Sequence, residues 1–384
     1  MGERRRPDGT PITYLDADRD VAGFFRGIGG TRELAVDTEG ASFHRFVDRV
    51  YLIQVSTRDQ HAVIDPLTIS APDSLGAMLT DTNVEVVFHD ADYDLRLLRQ
   101  DYGWQVRRIF DTRVAAQLAG IRQFGLAALL DANFGVKLDK KHQRADWSMR
   151  PLRDDMLTYA VQDTMHLLAL RDVLRDTLAK RGRSAWAAEE FERLETIERS
   201  TDGAAEAFLK IKGARDLSRR ELAVLREVFR WRDSIAAELD RATFRVLGNE
   251  PMLDIARAVP STVETLRAIK GVPQGMSPER TAGLLAAVQR GLEVPDSELP
   301  KFPRGPRWDR DPDFDTRVNA LRTARDEIAT QLDLDPGVLC SRERLEAVAR
   351  KKPRSAEELA AIPELRRWQV EVLGSALLRG LANH

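Results

Sequence analysis

Cysteine is almost absent. Cys340 stands alone among 384 residues, which excludes an internal disulfide framework and any cysteine-built zinc module. The six histidines are scattered and form no H-x3-H pair. Net charge is missing as well: 59 basic residues face 61 acidic ones, leaving −2. Such a balance supplies no global field to attract a polyanion, so composition alone argues against a nucleic-acid partner. No apolar run approaches the ~18 residues that span a bilayer. Met1, Gly2 and Glu3 run into Arg4, Arg5 and Arg6 rather than into the apolar stretch of a signal peptide. Arg6 also occupies the place where myristoylation wants Ser or Thr. The expectation is a soluble, cytoplasmic protein in a reducing compartment, with no membrane partner.

What is present is core-forming material. Apolar residues make up 43% of the chain and charged residues 31%, too much apolar content for disorder. At roughly 150 residues per domain, the length predicts two or three domains. The first part mixes strands and helices. Short runs rich in Val, Ile and Phe, bounded by turn residues, predict strands at 33–36, 50–56, 62–65, 84–88 and 108–110. The first three are joined by loops too short for crossover helices, so they predict an antiparallel meander. Helical periodicity follows at 74–79, 92–100, 112–130 and 153–179. This is an α/β domain with a mixed sheet. Further on the strand signals vanish and helices dominate.

A proline-rich stretch at 295–312 reads as a linker. An internal repeat sits astride it. At a shift of 93 residues without gaps, Arg232-Asp233 falls on Arg325-Asp326 and Ile235-Ala236 on Ile328-Ala329. Leu239-Asp240 falls on Leu332-Asp333, Ala256-Arg257 on Ala349-Arg350, and Ala268-Ile269 on Ala361-Ile362. Two copies of one small helical domain are implied.

Three elements carry chemistry. Asp37-Thr38-Glu39 ends the first strand, and residues i and i+2 share a strand face, so both carboxylates point one way. Taken alone, a D-x-E ahead of Gly40 is an ordinary polar strand end. The second element is 89–95, His-Asp-Ala-Asp-Tyr-Asp-Leu, between an apolar strand and a helix. Acids in a first helical turn are often only partners of the helix dipole. The third is Tyr159 and Asp163, four apart on one helix face.

Order and spacing make the set informative. A strand D-x-E, a strand-to-helix Tyr93-Asp94 and a helical Y-x3-D resemble the Exo I, Exo II and Exo III motifs of the DEDD family of 3′–5′ exonucleases, in its tyrosine-bearing branch. Leu138-Asp139-Lys140-Lys141, Asp146-Trp147 and Arg150-Pro151-Leu152 are similar to the segment before Exo III in ribonuclease D-type members. The helical repeat resembles the HRDC domain, which those members carry twice. The resemblance covers almost the whole chain. It implies a ribonuclease H-like mixed-sheet exonuclease domain followed by two all-α HRDC-like domains. The expected division is exonuclease 10–182, helical connector 183–207, first HRDC-like copy 208–294, linker 295–312 and second copy 313–384. One departure is Asp90, where family members often have Gly or a neutral polar residue.

The same resemblance implies two divalent cations, Mg²⁺ or Mn²⁺, with Asp37 bridging them. Glu39 and Asp163 complete one shell, Asp94 serves the other, and Tyr159 holds the nucleophilic water. Such ions stabilise both the attacking and the leaving oxygen in phosphodiester hydrolysis, and hard cations want oxygen ligands. Without metal the four carboxylates repel one another and raise their own pKa values, so activity is expected to need metal and to fail at low pH. Lys137, Lys140, Lys141, Arg144, Arg150 and Arg153 form a basic stretch opposed only by Asp139 and Asp146. Within it Lys140, Lys141 and Arg150 are candidates for RNA phosphate contact. Thr38, Phe43, His44 and His89 are further substrate-contact candidates, the aromatic ones by stacking on terminal bases. Phe43 reads equally as core, and His89 as a packed strand-end histidine.

The leading expectation is a 3′–5′ exoribonuclease releasing nucleoside 5′-monophosphates from transfer-RNA precursors and other structured RNAs with a 3′ tail. No obligate protein partner is implied. Competing readings are an exodeoxyribonuclease of the same chemistry and a non-catalytic RNA-binding module. The helical copies carry basic clusters, Lys210, Lys212, Arg215, Arg219 and Arg220 in the first and Arg350, Lys351, Lys352 and Arg354 in the second. Either cluster reads as a clamp on duplex RNA or as a solvated face. Removal of 310–384 is then expected to weaken binding of structured RNA more than hydrolysis of a short single strand.

Overall fold

The computed structural model describes residues 2–5, 9–139, 141–198, 206–303 and 311–382. They fall into two compact units. The first holds the described residues up to Gly40, those from Val50 to 198 and those from 311 onward. The second holds Ala41–Arg49 and residues 206–303.

The first unit is built on a seven-stranded sheet. In chain order its elements are β1 (Gly2–Arg5), β2 (Pro11–Leu15), α1 (Asp18–Gly27), β3 (Glu33–Glu39), β4 (Leu52–Ser56), β5 (His61–Ile64), α2 (Asp73–Thr80), β6 (Glu85–Phe88), α3 (Asp92–Tyr102) and β7 (Ile109–Asp111). Helices α4 (Thr112–Leu118), α5 (Leu126–Phe134), α6 (Asp154–Met165), α7 (Leu167–Lys180) and α8 (Ser184–Leu194) follow. Strand order is β1-β2-β5-β4-β3-β6-β7. The meander β3-β4-β5 is antiparallel, while β6 and β7 add in parallel beside β3. The five expected strands are present. Sequence periodicity missed β1, β2 and α1, and it ran two helix pairs together. The 112–130 stretch breaks at Gly120, whose φ of +81 suits glycine. The 153–179 stretch pauses at His166.

One sheet face packs on α1, α2 and α3 through Phe24, Phe25, Leu75, Leu79 and Leu98. The opposite face carries α4, α7 and α8. Its core is continuous with that of the second helical copy, joining Leu118, Leu170, Leu174 and Phe191 to Leu321, Leu339, Leu373 and Leu377.

The helical copies verify the repeat. The second unit contains α9 (Arg219–Glu238), α10 (Thr243–Val246), α11 (Asn249–Ala258), α12 (Val263–Arg267) and α13 (Pro278–Glu293). The second copy, within the first unit, contains α14 (Phe314–Gln331), α15 (Pro336–Leu339), α16 (Arg342–Lys351), α17 (Ala356–Ala360) and α18 (Arg367–Ala382). Helices α10, α11 and α12 map onto α15, α16 and α17 at the 93-residue shift. So do the left-handed residues Asp240 and Asp333, and Val259 and Lys352. The register changes only before the last helix, where the loop 268–277 is four residues longer than 361–366.

Part of the expected basic clamp braces the helical copies themselves. Arg220 donates to the carbonyls of Leu292 and Val294, and Arg219 to that of Leu299. Arg350 pairs with Glu346 and Lys352 with Asp311.

Candidate active site

The ladder between β3 and β6 stops at Ala35 and Val87. Beyond that point β3 continues to Glu39, paired only with β4. Its last residues therefore stand clear on the β6 side, at the C-terminal end of the parallel strands, where α/β sheets place ligands. Asp37 and Glu39 project from one face there. Helix α6 lies against that face and presents Tyr159 and Asp163 one turn apart. A hydrogen bond of 2.8 Å between Ser56 and Thr164 ties β4 to α6 beside Asp163.

Asp37, Glu39 and Asp163 each offer a carboxylate oxygen within 4.8 Å of the others. Asp94 is not in that close group. Its Oδ1 accepts two hydrogen bonds from Thr38, from the backbone amide at 2.9 Å and from the hydroxyl at 2.6 Å. Its charge still reaches the others. Burial, then the charges of Asp94, Asp163 and Glu39, raise Asp37 well above the usual carboxylate range. Burial and the charges of Asp163 and Asp94 do the same to Glu39. Burial pushes Asp94 and Asp163 each up to about 7. Four crowded acids with raised pKa values repel one another, and a bound cation would relieve that repulsion. The donors are all carboxylate oxygens, which suits a hard divalent cation rather than a soft one. The acidic cluster points to binding of a divalent metal.

Tyr159 is flanked by aromatic rings, His142 edge-on at 5.7 Å and the buried Trp147 at 6.1 Å. Burial and the charges of Asp163, Glu39 and Asp37 raise its pKa above the ordinary phenol value. The hydroxyl therefore keeps its proton at neutral pH.

Several substrate-contact candidates have other work. Thr38 is buried and its hydroxyl anchors Asp94, so that side chain does not face RNA. All five Arg150 donors are used within the fold. Nε and Nη2 grip the two oxygens of buried Asp65 at 2.5 and 2.7 Å, and Nη1 and Nη2 also reach the carbonyls of Trp147, Met149 and Tyr51. Arg150 is a brace for the segment before α6, not a phosphate ligand. His89 fits the packed alternative. Thr112 donates its hydroxyl proton to the Phe88 carbonyl, so His89 Nδ1–H donates to Thr112 at 2.9 Å. Burial first, and then Arg113, hold the His89 pKa near 4 against the pull of Asp90. The imidazole is neutral and offers no charge to a phosphate. Lys141 is exposed and pairs with Asp155 at 3.3 Å. Lys140 lies outside the described residues. Phe43 and His44 belong to the second unit with the first helical copy.

Asp90 adopts φ +68, a left-handed conformation that glycine takes without strain. It pairs with Arg113 at the surface and lies outside the close carboxylate group. Sequence reading missed Asp111. This buried residue caps α4 through the amides of Arg113 and Val114 and also accepts those of Asp90 and Ala91. It thereby fixes the turn that delivers Asp94. The available signal was an acid between a strand and a helix, the ordinary N-cap pattern. Gln54 was also missed. It is fully buried opposite Asp37 on β4, with Nε2 3.5 Å from Glu39.

Comparison with known proteins identifies the domains. The 3′–5′ exonuclease domain family matches residues 12–179, and the HRDC domain family matches 221–288 and 315–381. The chain is 30% identical over 372 residues to the ribonuclease D of Granulibacter bethesdensis, covering 95% of this chain and 91% of that protein. It is 31% identical over 348 residues to the ribonuclease D of Nitrobacter hamburgensis, covering 90% and 88%. In fold it is similar to Escherichia coli RNase D, with a TM-score of 0.73 at 24% identity over 97% of this chain and 99% of that one.

Proposed function

Since this chain belongs to the ribonuclease D family and is a 3′–5′ exoribonuclease, we propose that Asp37, Glu39, Asp94 and Asp163 hold two divalent cations, Mg²⁺ or Mn²⁺, and that nucleoside 5′-monophosphates leave one at a time from the RNA 3′ end. The observation that carries this reading is the meeting of three carboxylates from β3 and α6 within 4.8 Å, without histidine or cysteine. When bound, the cations acidify the attacking water and offset charge on the scissile phosphate. The residues do the rest. Asp37 and Glu39 share one face of β3, and Asp163 closes the set from α6. Thr38 aims Asp94. The protonated Tyr159 hydroxyl orients the water by a hydrogen bond and is too weak an acid to act as its base. Lys141 and the exposed Lys137 lead toward α6 and suit backbone phosphates; Lys140 completes that run in sequence.

The natural substrates we assign are precursor transfer RNAs and other structured RNAs with an unpaired 3′ tail, processed in the cytoplasm. Family membership and the paired HRDC copies support this. The test uses matched RNA and DNA oligonucleotides ending in 3′-OH or 3′-phosphate, with Mg²⁺, Mn²⁺ or EDTA. The expected result is stepwise loss of 3′-OH RNA, release of 5′-monophosphates, arrest in EDTA and slower attack on DNA. Asp37→Asn should abolish it. Hydrolysis that persists in EDTA or in that variant overturns the site assignment, and internal cleavage overturns the exonucleolytic reading.

A further inference from the structure

Two phenylalanine rings stand exposed side by side in the second unit. Phe43 is 50% exposed and Phe244 52%. Their centroids lie 6.3 Å apart at an interplanar angle of 77°. Single exposed apolar residues need no explanation, but an adjacent aromatic pair does. Arg245 organises it. Its guanidinium lies 6.0 Å from the Phe244 ring centroid, its Nε donates to the Phe43 carbonyl at 2.5 Å, and its Nη2 meets His44 Nδ1 at 3.3 Å. Two further links hold the segment: the Ala242 amide donates to the His44 carbonyl at 3.1 Å, and the Phe46 amide donates to Asp240 at 3.3 Å.

The internal repeat supplies a control. At the 93-residue shift, Phe244 and Arg245 become Gly337 and Val338, while α10 and α15 coincide in length and place. The helical fold therefore does not require an exposed phenyl and a cation at this corner. In the second copy the same corner carries out docking inside the first unit, where Asp333 pairs with Arg181 and Arg183 donates to the Leu332 carbonyl. In the first copy the corner carries aromatic rings instead.

Charge selects the occupant. Residues 41–49 and 240–246 hold four arginines, Arg45, Arg49, Arg241 and Arg245, against Asp48 and Asp240. Aromatic faces beside surplus arginine suit unpaired nucleic acid, whose bases stack and whose phosphates are anionic. Phe43 lies only four residues beyond Glu39 in the chain. We propose that Phe43 and Phe244, flanked by Arg245, form a base-stacking platform for the single-stranded 3′ tail of the RNA substrate. This rests on the exoribonuclease reading and adds to it a contribution from the first HRDC copy.

The test is equilibrium binding of a labelled oligoribonucleotide of about ten unpaired nucleotides to the whole protein in EDTA, where no cleavage is needed. Phe244→Ala and Phe244→Leu should each weaken binding about 5- to 100-fold, the range given by one stacked base. Phe244→Trp should restore it, since indole keeps a π face that leucine lacks. A tail of abasic nucleotides should bind wild type and Phe244→Ala equally. Wild-type affinity in Phe244→Ala overturns the platform, as does equal binding by the Leu and Trp variants. Thermal melts of each variant check folding, which Gly337 at the equivalent corner indicates is tolerant. A parallel degradation assay with Mg²⁺ reports separately on the enzymatic reading, so failure of one is distinguishable from failure of the other.

Discussion

The amide and the hydroxyl of Thr38 converge on one oxygen of Asp94, although 56 residues separate them in the chain. The amide is available because the β3–β6 ladder has already ended. The hydroxyl is buried, with little water to replace the bond. Thr38→Val keeps the shape and removes the donor. Loss of such a supporting bond commonly reduces metal affinity or activity by about 10- to 100-fold, and that is the expected effect. Thr38→Ser should stay close to wild type. Metal titration followed by thermal melts, with turnover on a short RNA, checks both. An unaffected Val variant contradicts the anchoring role.

Tyr159 has a different signature. Its phenol stays protonated, so its removal should leave the acidic limb of the pH–rate profile in place. Tyr159→Phe keeps the ring that packs against His142 and Trp147. We expect a loss of turnover on the order of 100-fold from a misplaced nucleophile, with metal and RNA affinity retained. A rate loss matched by an equal loss of metal affinity would falsify the orienting role.

The carboxylate cluster predicts an inverted pH response. Burial raises Asp94 and Asp163 to about 7 and raises Asp37 and Glu39 as well. In the unfolded chain these groups titrate near ~4. Between about pH 4 and pH 7 the metal-free native state thus holds protons that the unfolded chain has released. Its stability contribution falls as pH rises through that window. Divalent metal replaces the protons, so the rise in Tm on adding Mg²⁺ should be larger near about pH 8 than near about pH 5.5. Protons and metal compete for the same carboxylates, so turnover should decline toward acid pH and added Mg²⁺ should move that decline to lower pH. Equal Mg²⁺ stabilisation at both pH values counts against the cluster as the metal site.

What the chain disclosed in advance was whatever local pattern encodes. Asp37 and Glu39 on one strand face, and Tyr159 and Asp163 on one helix turn, follow from periods of 2 and 3.6. The repeat was visible because α10, α11 and α12 kept their spacing. Contacts set by tertiary packing were not visible. Nothing local distinguishes Arg150, whose partner Asp65 lies 85 residues away, from Lys141, which stays at the surface. Thr38 reads as a strand residue until α3 is placed beside it. The clusters in the helical copies read as clamps because their carbonyl acceptors, Leu292 and Val294, lie more than 70 residues downstream.

Arg150 and Asp65 give a test of that distinction. Burial alone raises the Asp65 pKa, but hydrogen bonds from Arg150 and Tyr14 outweigh it and hold the carboxylate below its usual range. Arg150→Gln leaves Asp65 buried without its cation. Breaking one side of a buried pair costs about 3–5 kcal/mol. The variant should melt well below wild type yet bind RNA normally at temperatures where it is folded. Normal stability with weakened, less salt-dependent RNA binding points back to phosphate contact.

The last prediction concerns the second helical copy, which the sequence presents as a separable clamp. Trp368 is 3% exposed and stacks on Trp186 at 4.8 Å. Its Nε1 donates to Glu190 at 3.0 Å, and Arg366 bridges both oxygens of the same carboxylate at 3.1 and 3.2 Å. The apolar core runs without a break from α4, α7 and α8 into α14 and α18. Removing 310–384 uncovers that core, so hydrolysis of a short single strand should fall together with binding of structured RNA. Trp368→Ala should cost about 3–5 kcal/mol and lower the temperature at which short-RNA hydrolysis is lost, in step with the loss of helical signal. Two well-separated transitions, with short-RNA activity surviving the first, contradict a shared core as the support of the catalytic unit.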